Sequence, residues 1–147
     1  MTDFSHLRLY DVASDDTAEL ELCQLEGSPV LVVAPATDTN RGYFNALLKR
    51  NKTYARRLKA GGVTPELLSK NRNEDRVLYA RFVLKGWKGV VDSAGASVDF
   101  NVENATAFLK ALPDWIFDDV RSFAAEPSSF VADGDPTPDD IEEAAGN

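Results

Sequence analysis

The stretch VLYARFVLKGWKGVVDSAGASVDFNVENATAFLKALPDWIFDDVRSFAAEPSSF, from Val77 to Phe130, decides the fold. It predicts an apolar helix that ends before Gly86, followed by two more helices, one capped by Asn101 and one opened by Pro113. After the first helix, Trp87 stands among glycines, so we expect its indole on a constrained loop rather than on a helix face. The stretch carries no catalytic motif.

The last helix of this stretch has an apolar stripe at three- and four-residue spacing. Its predicted members are Trp115, Ile116, Val120, Phe123 and Ala124. Phe117 falls outside that stripe, and Trp87 lies on the predicted loop. We therefore expect these two rings, of all the aromatic side chains, to be exposed.

Further helix signals precede the stretch. From Asn40, apolar residues recur every three or four positions as far as Gly61-Gly62, which predicts an amphipathic helix with a basic polar face. Thr64-Pro65-Glu66 has the hydroxyl cap, proline and acid of another helix start. We expect that helix to be short because Asn71-Arg72-Asn73 interrupts its pattern, and a new helix to open at Glu74-Asp75.

Near the N-terminus the pattern is that of strands. Leu7 and Leu9 alternate with polar residues, and the alternation returns from Ala18 to Leu25. A turn and a short β-branched run follow, so we predict a β-hairpin at about residues 18–34. We expect one side of it to pack on the helices, because a two-stranded ribbon is marginal alone. That side is predicted to hold Leu20, Leu22, Val30 and Val32.

The predicted fold class is α+β, with an N-terminal β-hairpin or small antiparallel sheet packed on a bundle of about four to five helices. Residues 1–130 form a single α+β domain in this prediction. Residues 131–147, VADGDPTPDDIEEAAGN, contain six acids and few aliphatic side chains. They bury too little to offset chain entropy, so we expect a disordered acidic C-terminal segment, called here the acidic tail.

Charge is distributed in blocks along the chain. Residues 1–40 hold eight acids and one base, residues 41–88 hold thirteen bases and three acids, and residues 89–147 hold thirteen acids and two bases. Such blocks either neutralise one another on folding or form a bipolar surface that orients partners.

The residues that catalysis or cofactor binding would need are sparse. His6 is the single histidine, and no serine or cysteine motif of the hydrolase type surrounds a nucleophile, which disfavours a catalytic triad. One histidine and one cysteine, Cys23, cannot assemble a structural zinc site, and we expect Cys23 to be a small core or strand residue. The glycines lack the spacing of phosphate-binding loops, and the acidic pairs lack that of a calcium loop. We predict a protein that is not an enzyme, with no catalytic, cofactor-binding or metal-binding residues and no cofactor.

No apolar run approaches the length of a membrane span, and the N-terminal residues lack the pattern of a secretory signal. We therefore expect a cytoplasmic protein with no membrane partner. The basic helix, with seven Lys and Arg residues between 41 and 59 and tyrosines among them, is compatible with phosphate contacts and base stacking. The acidic remainder of the chain would repel a polyanion, which disfavours nucleic acid as the partner.

The spacing W-x-G-V-x-D-x-x-G from Trp87 continues through Phe100, Glu103-Asn104-Ala105 and Leu109, and then through Pro113, Val120 and Phe130. Over Phe82 to Phe130 this pattern resembles the tail assembly chaperones of long-tailed, siphophage-type bacteriophages. The resemblance implies a non-catalytic protein in the host cell cytoplasm. It would bind and solubilise the tape measure protein and help to recruit tail tube subunits.

The residues that we expect to contact such a partner are the two rings predicted to be exposed, the lysine beside one of them, and bases of the 41–59 helix. They are Trp87, Lys88, Phe117, Arg50, Arg56 and Arg57. Self-association is a further possibility that the sequence leaves open. The alternative functions are a structural virion component, such as a connector or tail terminator, and a nucleic-acid-binding regulator acting through the 41–59 helix.

Overall fold

The computed structural model describes residues 2–4 and 16–130. The predicted strand at Leu7 and Leu9 and the predicted disorder of the acidic tail lie outside the described residues. Within them the elements follow in the order β1 (Ala18–Glu21), β2 (Val30–Val33), α1 (Arg41–Gly61), α2 (Pro65–Leu78), a π-helical turn (Tyr79–Val83), β3 (Leu84–Lys88), α3 (Val102–Ala111), α4 (Asp114–Ala125) and a 3₁₀ turn (Pro127–Phe130). The α+β class, with a small antiparallel sheet and helices, is confirmed.

The three strands form one sheet in the order β1-β2-β3, with both pairings antiparallel. The predicted hairpin is present, but the predicted buried face of β2 is wrong. Leu31 and Val33 are fully buried, whereas Val30 and Val32 are half-buried. The register explains this, because Leu20 pairs with Leu31 and cross-strand partners point to the same face of a sheet.

Trp87 lies in β3 and not in a loop, so that prediction is wrong. It pairs with Leu31 of β2, and the backbone of β2 supplies hydrogen-bond partners that local sequence reasoning cannot see. The glycines on either side have separate roles. Gly86 faces Val32 across the pair, and Gly89 has a positive φ of 75° where the chain turns away from the sheet.

Helix α2 is a single helix that runs through Asn71-Arg72-Asn73, where an interruption was predicted. Its start is as expected, since the Thr64 hydroxyl accepts a hydrogen bond from the Leu67 N–H at 3.1 Å. Arg72, in the middle of the helix, is held by ion pairs to Asp114 and Asp118 of α4, and these contacts outweigh weak local propensity. The helix then passes through the π-helical turn directly into β3.

The core lies between the sheet, the π-helical turn, α3 and α4. Phe117 is its largest fully buried side chain, so its predicted exposure is wrong, and Trp115, predicted to be buried, is 58% exposed. The buried stripe of α4 consists of Ile116, Phe117, Val120 and Ala124. The i, i+3, i+7 spacing of Phe117, Val120 and Ala124 places them on one face of α4. Trp115, two positions before Phe117, is on the opposite side of the helix.

Candidate functional site

The seven basic residues of α1 divide into two groups. Arg50 and Arg57 face α2, where Arg50 pairs with Asp75 and Arg57 donates to Glu74 at 2.9 Å. The other five are exposed on the opposite side of the helix. They are Arg41, Lys49, Lys52, Arg56 and Lys59, called here the basic stripe.

Asp75 is the meeting point of three helices. Its residue is 7% exposed, and it accepts from Arg50 of α1 and from Arg121 of α4, the latter at 3.1 Å. Arg121 also pairs with Asp118, one turn earlier on its own helix. Two guanidinium groups thus surround one buried carboxylate, which removes most of its desolvation penalty.

Arg76 joins α2 to the end of α3 and the start of α4. Its residue is 4% exposed, and it donates to the Leu109 and Leu112 carbonyl oxygens at 2.8 and 3.2 Å and to Asp114 at 2.7 Å. These two carbonyls close the C-terminal end of α3, where the helix dipole favours a cation. The hydrogen bond from Arg76 and the charge of Arg72 lower the pKa of the Asp114 carboxyl.

Arg76 and Arg121 also contact the ring of Phe117 at the centre of the core. The Arg76 guanidinium lies 4.7 Å from the centroid of Phe117, and that of Arg121 lies 5.2 Å from it. Tyr79 meets the ring edge-on at 5.5 Å. Phe117 therefore joins the apolar core to the ion pairs above it through cation–π contacts.

A groove between α2 and α4 opens onto these ion pairs, and Leu68, Arg72, Asp114 and Arg121 are among its lining residues. Arg72 contacts Asp114 at 3.0 Å and Asp118 at 3.6 Å. Leu68, 52% exposed, lies one turn before Arg72, and the exposed Trp115 follows Asp114 in the chain. Leu68 thus lines a charged groove, and Trp115 is the chain neighbour of another residue that lines it. The α2–α4 surface is defined here as Leu68, Arg72, Asp114, Trp115 and Asp118.

Trp87 belongs to a second aromatic group, which packs against the core on the same face of the sheet as its partner Leu31. Its indole N–H donates to the Val98 carbonyl at 2.9 Å, and its ring packs against Phe100 and Phe108 at centroid distances of 5.1 and 5.4 Å. The half-buried indole therefore fastens the loop after β3 to α3. Its neighbour Lys88 is exposed and pairs with Glu19 of β1 at 2.7 Å.

The six residues predicted to contact a partner are therefore dispersed. Phe117 is inside the core, Trp87 is half-buried, and Arg50 is committed to Asp75. Arg57 is half-buried against Glu74, whereas Lys88 and Arg56 are exposed on different elements. The structure does not bring the six together into one surface. Cys23, expected in the core or a strand, is exposed in the turn after β1.

Sequence reasoning missed Trp115 and Asp75. If the apolar stripe of α4 is centred on Phe117, Val120 and Ala124, the same periodicity predicts that Trp115 is exposed. The sequence therefore contained the signal for this residue. Asp75 offered no such signal, because its partners lie 25 and 46 positions away in the chain.

Across residues 2–4 and 16–130, no group of three His, Cys, Asp or Glu side chains is arranged to hold a metal ion. None of the helices described is both long and apolar enough to cross a membrane.

Comparison with known proteins gives one family. No curated protein and no solved structure matches the chain. Residues 38–137 match the profile of the family described as YdaY prophage protein, which spans α1, α2, β3, α3 and α4. The match covers well over half of the 147 residues, including all of the ion pairs around Asp75 and Arg76. This phage-derived chain therefore belongs to the YdaY prophage protein family.

Proposed function

We propose that this prophage protein is a tail assembly chaperone, which binds and solubilises the tape measure protein and helps to recruit tail tube subunits without catalysis. The observation that carries the proposal is the α2–α4 surface, where Trp115 is 58% exposed and directly follows Asp114, a residue that lines the charged groove. Membership of a prophage protein family supports a phage role in general. The resemblance of Phe82 to Phe130 to tail assembly chaperones supports this particular one.

An exposed tryptophan next to ion pairs suits an amphipathic helix. The apolar face of such a helix would cover Trp115 and Leu68, which are otherwise in contact with water. Burial of the large indole surface supplies affinity, and tryptophan is enriched among the residues that dominate interface energies.

The charges of the same surface would orient the helix. Arg72 is part-exposed and pairs with Asp114 and Asp118, which lie within one turn of Trp115 on α4. Charged groups at the rim of an interface fix register and speed encounter more than they add affinity. This division of roles replaces the partner contact first expected of Phe117, which the core occupies.

Co-expression with the tape measure protein of the same prophage tests the proposal. Sedimentation and co-purification would measure how much tape measure protein stays soluble with the wild-type chain, with Trp115→Ser and with the matched control Val102→Ser. Val102 is an exposed apolar residue on α3, away from the α2–α4 surface. We expect the wild type and the control to keep the partner soluble and Trp115→Ser to lose most of that effect.

Equal solubility of the tape measure protein with and without this chain, at matched expression, would overturn the proposal. The finished phage particles then discriminate the alternative. A structural virion component remains in the particle and is found there by mass spectrometry, whereas an assembly chaperone is absent or strongly depleted.

A further inference from the structure

The basic stripe forms a continuous band along the exposed side of α1. At 3.6 residues per turn, its five residues fall within an arc of about 80° and extend along about 27 Å of the helix. Arg50 and Arg57 lie on the far side of the helix, against α2. One face of α1 is therefore neutralised by the body of the protein and the other is not.

Nothing in the described part of the chain neutralises the stripe. None of its five members takes part in an ion pair with any residue among 2–4 and 16–130. Moreover, the first turn of α1 contains no acidic side chain, although an acid is stabilising at the positive end of a helix dipole. An anionic segment that lies along α1 from its N-terminus would pair with the cations of the stripe. It would also supply the negative charge that the first turn lacks.

The chain supplies such a segment after Phe130, which is connected to the residues before α1. The 3₁₀ turn ends at Phe130, whose ring packs on Phe123 of α4 at 6.1 Å between centroids. The end of α4 is in turn bonded to the segment before α1, since the Ala36 N–H donates to the Ala124 carbonyl at 2.8 Å. Phe130, the last described residue, is therefore connected through the end of α4 to the segment that leads into α1.

The acidic tail matches the stripe in charge and reach. It carries six carboxylates and no base, against five cations on the stripe. Its seventeen residues can extend to about 55 Å, which is twice the length of the stripe. The acidic tail and the basic stripe carry similar numbers of opposite charges, and the tail is long enough to reach every residue of the stripe.

We propose that residues 131–147 bind along the basic stripe of α1 within the same molecule and shield it from other polyanions. The contact is electrostatic, because the tail has few apolar side chains to bury. Tethering supplies a local concentration in the millimolar range, so weak ion pairs suffice to keep the stripe occupied. The same ion pairs are screened by salt, which makes the contact reversible.

Paramagnetic relaxation in the full chain tests this contact. A nitroxide is attached at Ala144→Cys in a Cys23→Ser background, which removes the exposed native thiol. We expect loss of amide signal intensity at Lys49, Lys52 and Arg56, with the amide of Lys110 on α3 unaffected. The loss should disappear at about 0.5 M salt, where the screening length is roughly 4 Å.

Charge reversal separates this contact from random collisions of the tail. Lys49→Glu with Lys52→Glu and Arg56→Glu should abolish the signal loss, whereas the control Lys70→Glu with Lys110→Glu should preserve it. All these side chains are exposed, so both variants are expected to fold, and circular dichroism verifies this. Uniform signal loss over the surface, or a loss that survives the stripe reversal, would overturn the proposal.

A second measurement reports the shielding itself. Asp139→Asn with Asp140→Asn, Glu142→Gln and Glu143→Gln removes four carboxylates from the tail of the full chain. We expect this variant to be retained on heparin to a higher salt concentration than the wild type, and the loss of retention on reversing the stripe would assign the binding to α1. Equal retention of the wild type and the neutralised variant would show that the tail does not cover the stripe.

Discussion

Phe117 occupies the point where the apolar core meets the ion pairs. Its ring is fully buried and has a guanidinium at 4.7 Å and another at 5.2 Å. A tryptophan two positions earlier on the same helix is mostly in water. The two aromatic residues therefore have opposite roles, and truncation of each separates stability from binding.

We expect Phe117→Ala to lower the free energy of unfolding by about 3–5 kcal/mol, because it leaves a cavity in the core. Trp115→Ala should change it by less than about 0.5 kcal/mol, as is usual for exposed side chains. Urea denaturation followed by circular dichroism measures both. A larger loss from Trp115→Ala than from Phe117→Ala would contradict the assignment of core and surface on α4.

Asp114 gives a prediction about pH. Its pKa is lowered mainly by the hydrogen bond from Arg76, so its carboxylate stabilises the folded state above the ordinary aspartate pKa of about 3.9. That contribution is lost as the pH falls through the lowered folded pKa. Asp114→Asn should therefore melt below the wild type at neutral pH, and the two melting temperatures should converge in acid.

Thermal melts of Asp114→Asn between about pH 2 and 7 provide the measurement, over the range in which aspartate titrates. Asp99→Asn, which changes an exposed carboxylate in the loop before α3, serves as the matched control. A constant difference between wild type and Asp114→Asn across the whole range would show that the hydrogen bond does not depend on the charge of Asp114.

Among the elements, β2 carries the clearest contrast between its two faces. Val33 is fully buried and the neighbouring Val32 is half-buried on the opposite face. Val33→Ala should cost about 2 kcal/mol of unfolding free energy from lost burial and the cavity. Val32→Ala should cost clearly less in the same denaturation experiment, and the reverse order would contradict the register of the sheet.

The sequence predicted elements with strong local signals. The hairpin, the end of α1 at Gly61-Gly62, the Thr64 cap of α2 and the start of α3 at Asn101 are all where periodicity and capping residues indicate. Prediction from the sequence failed where contacts with residues distant in the chain decide the local structure. Trp87 is in a strand because β2 pairs with it, and α2 continues through Asn71-Arg72-Asn73 because α4 holds Arg72.

The candidate site was less predictable than the fold for the same reason. Arg50 and Arg57 looked like exposed bases, but their partners on α2 turn them inward. Exposure of an aromatic residue depends on where the apolar stripe of its helix is centred. The predicted stripe of α4 was centred one or two positions away from the true one, and this reversed the predicted exposure of Trp115 and Phe117.

In the molecule as a whole, Asp75 connects α1, α2 and α4 through Arg50 and Arg121. Asp75→Asn would leave two guanidinium groups without their shared partner. For a mostly buried pair this costs about 3 kcal/mol or more, whereas the part-exposed Glu74→Gln should cost at most about 1 kcal/mol. Chemical denaturation of both variants tests the difference, and similar losses would show that the ion pairs around Asp75 do not hold the helices together.

The direct passage from α2 through the π-helical turn into β3 restricts how the gene can change in length. There is no loop between Val83 and Leu84 to absorb an extra residue. One inserted codon here would invert the two faces of the strand that follows, because side chains alternate along it, and Trp87 would leave Phe100 and Phe108. The exposed loop between α1 and α2, at Gly62 and Val63, has no such constraint. Variation in length among related genes should therefore collect at that loop and avoid the helix-to-strand junction.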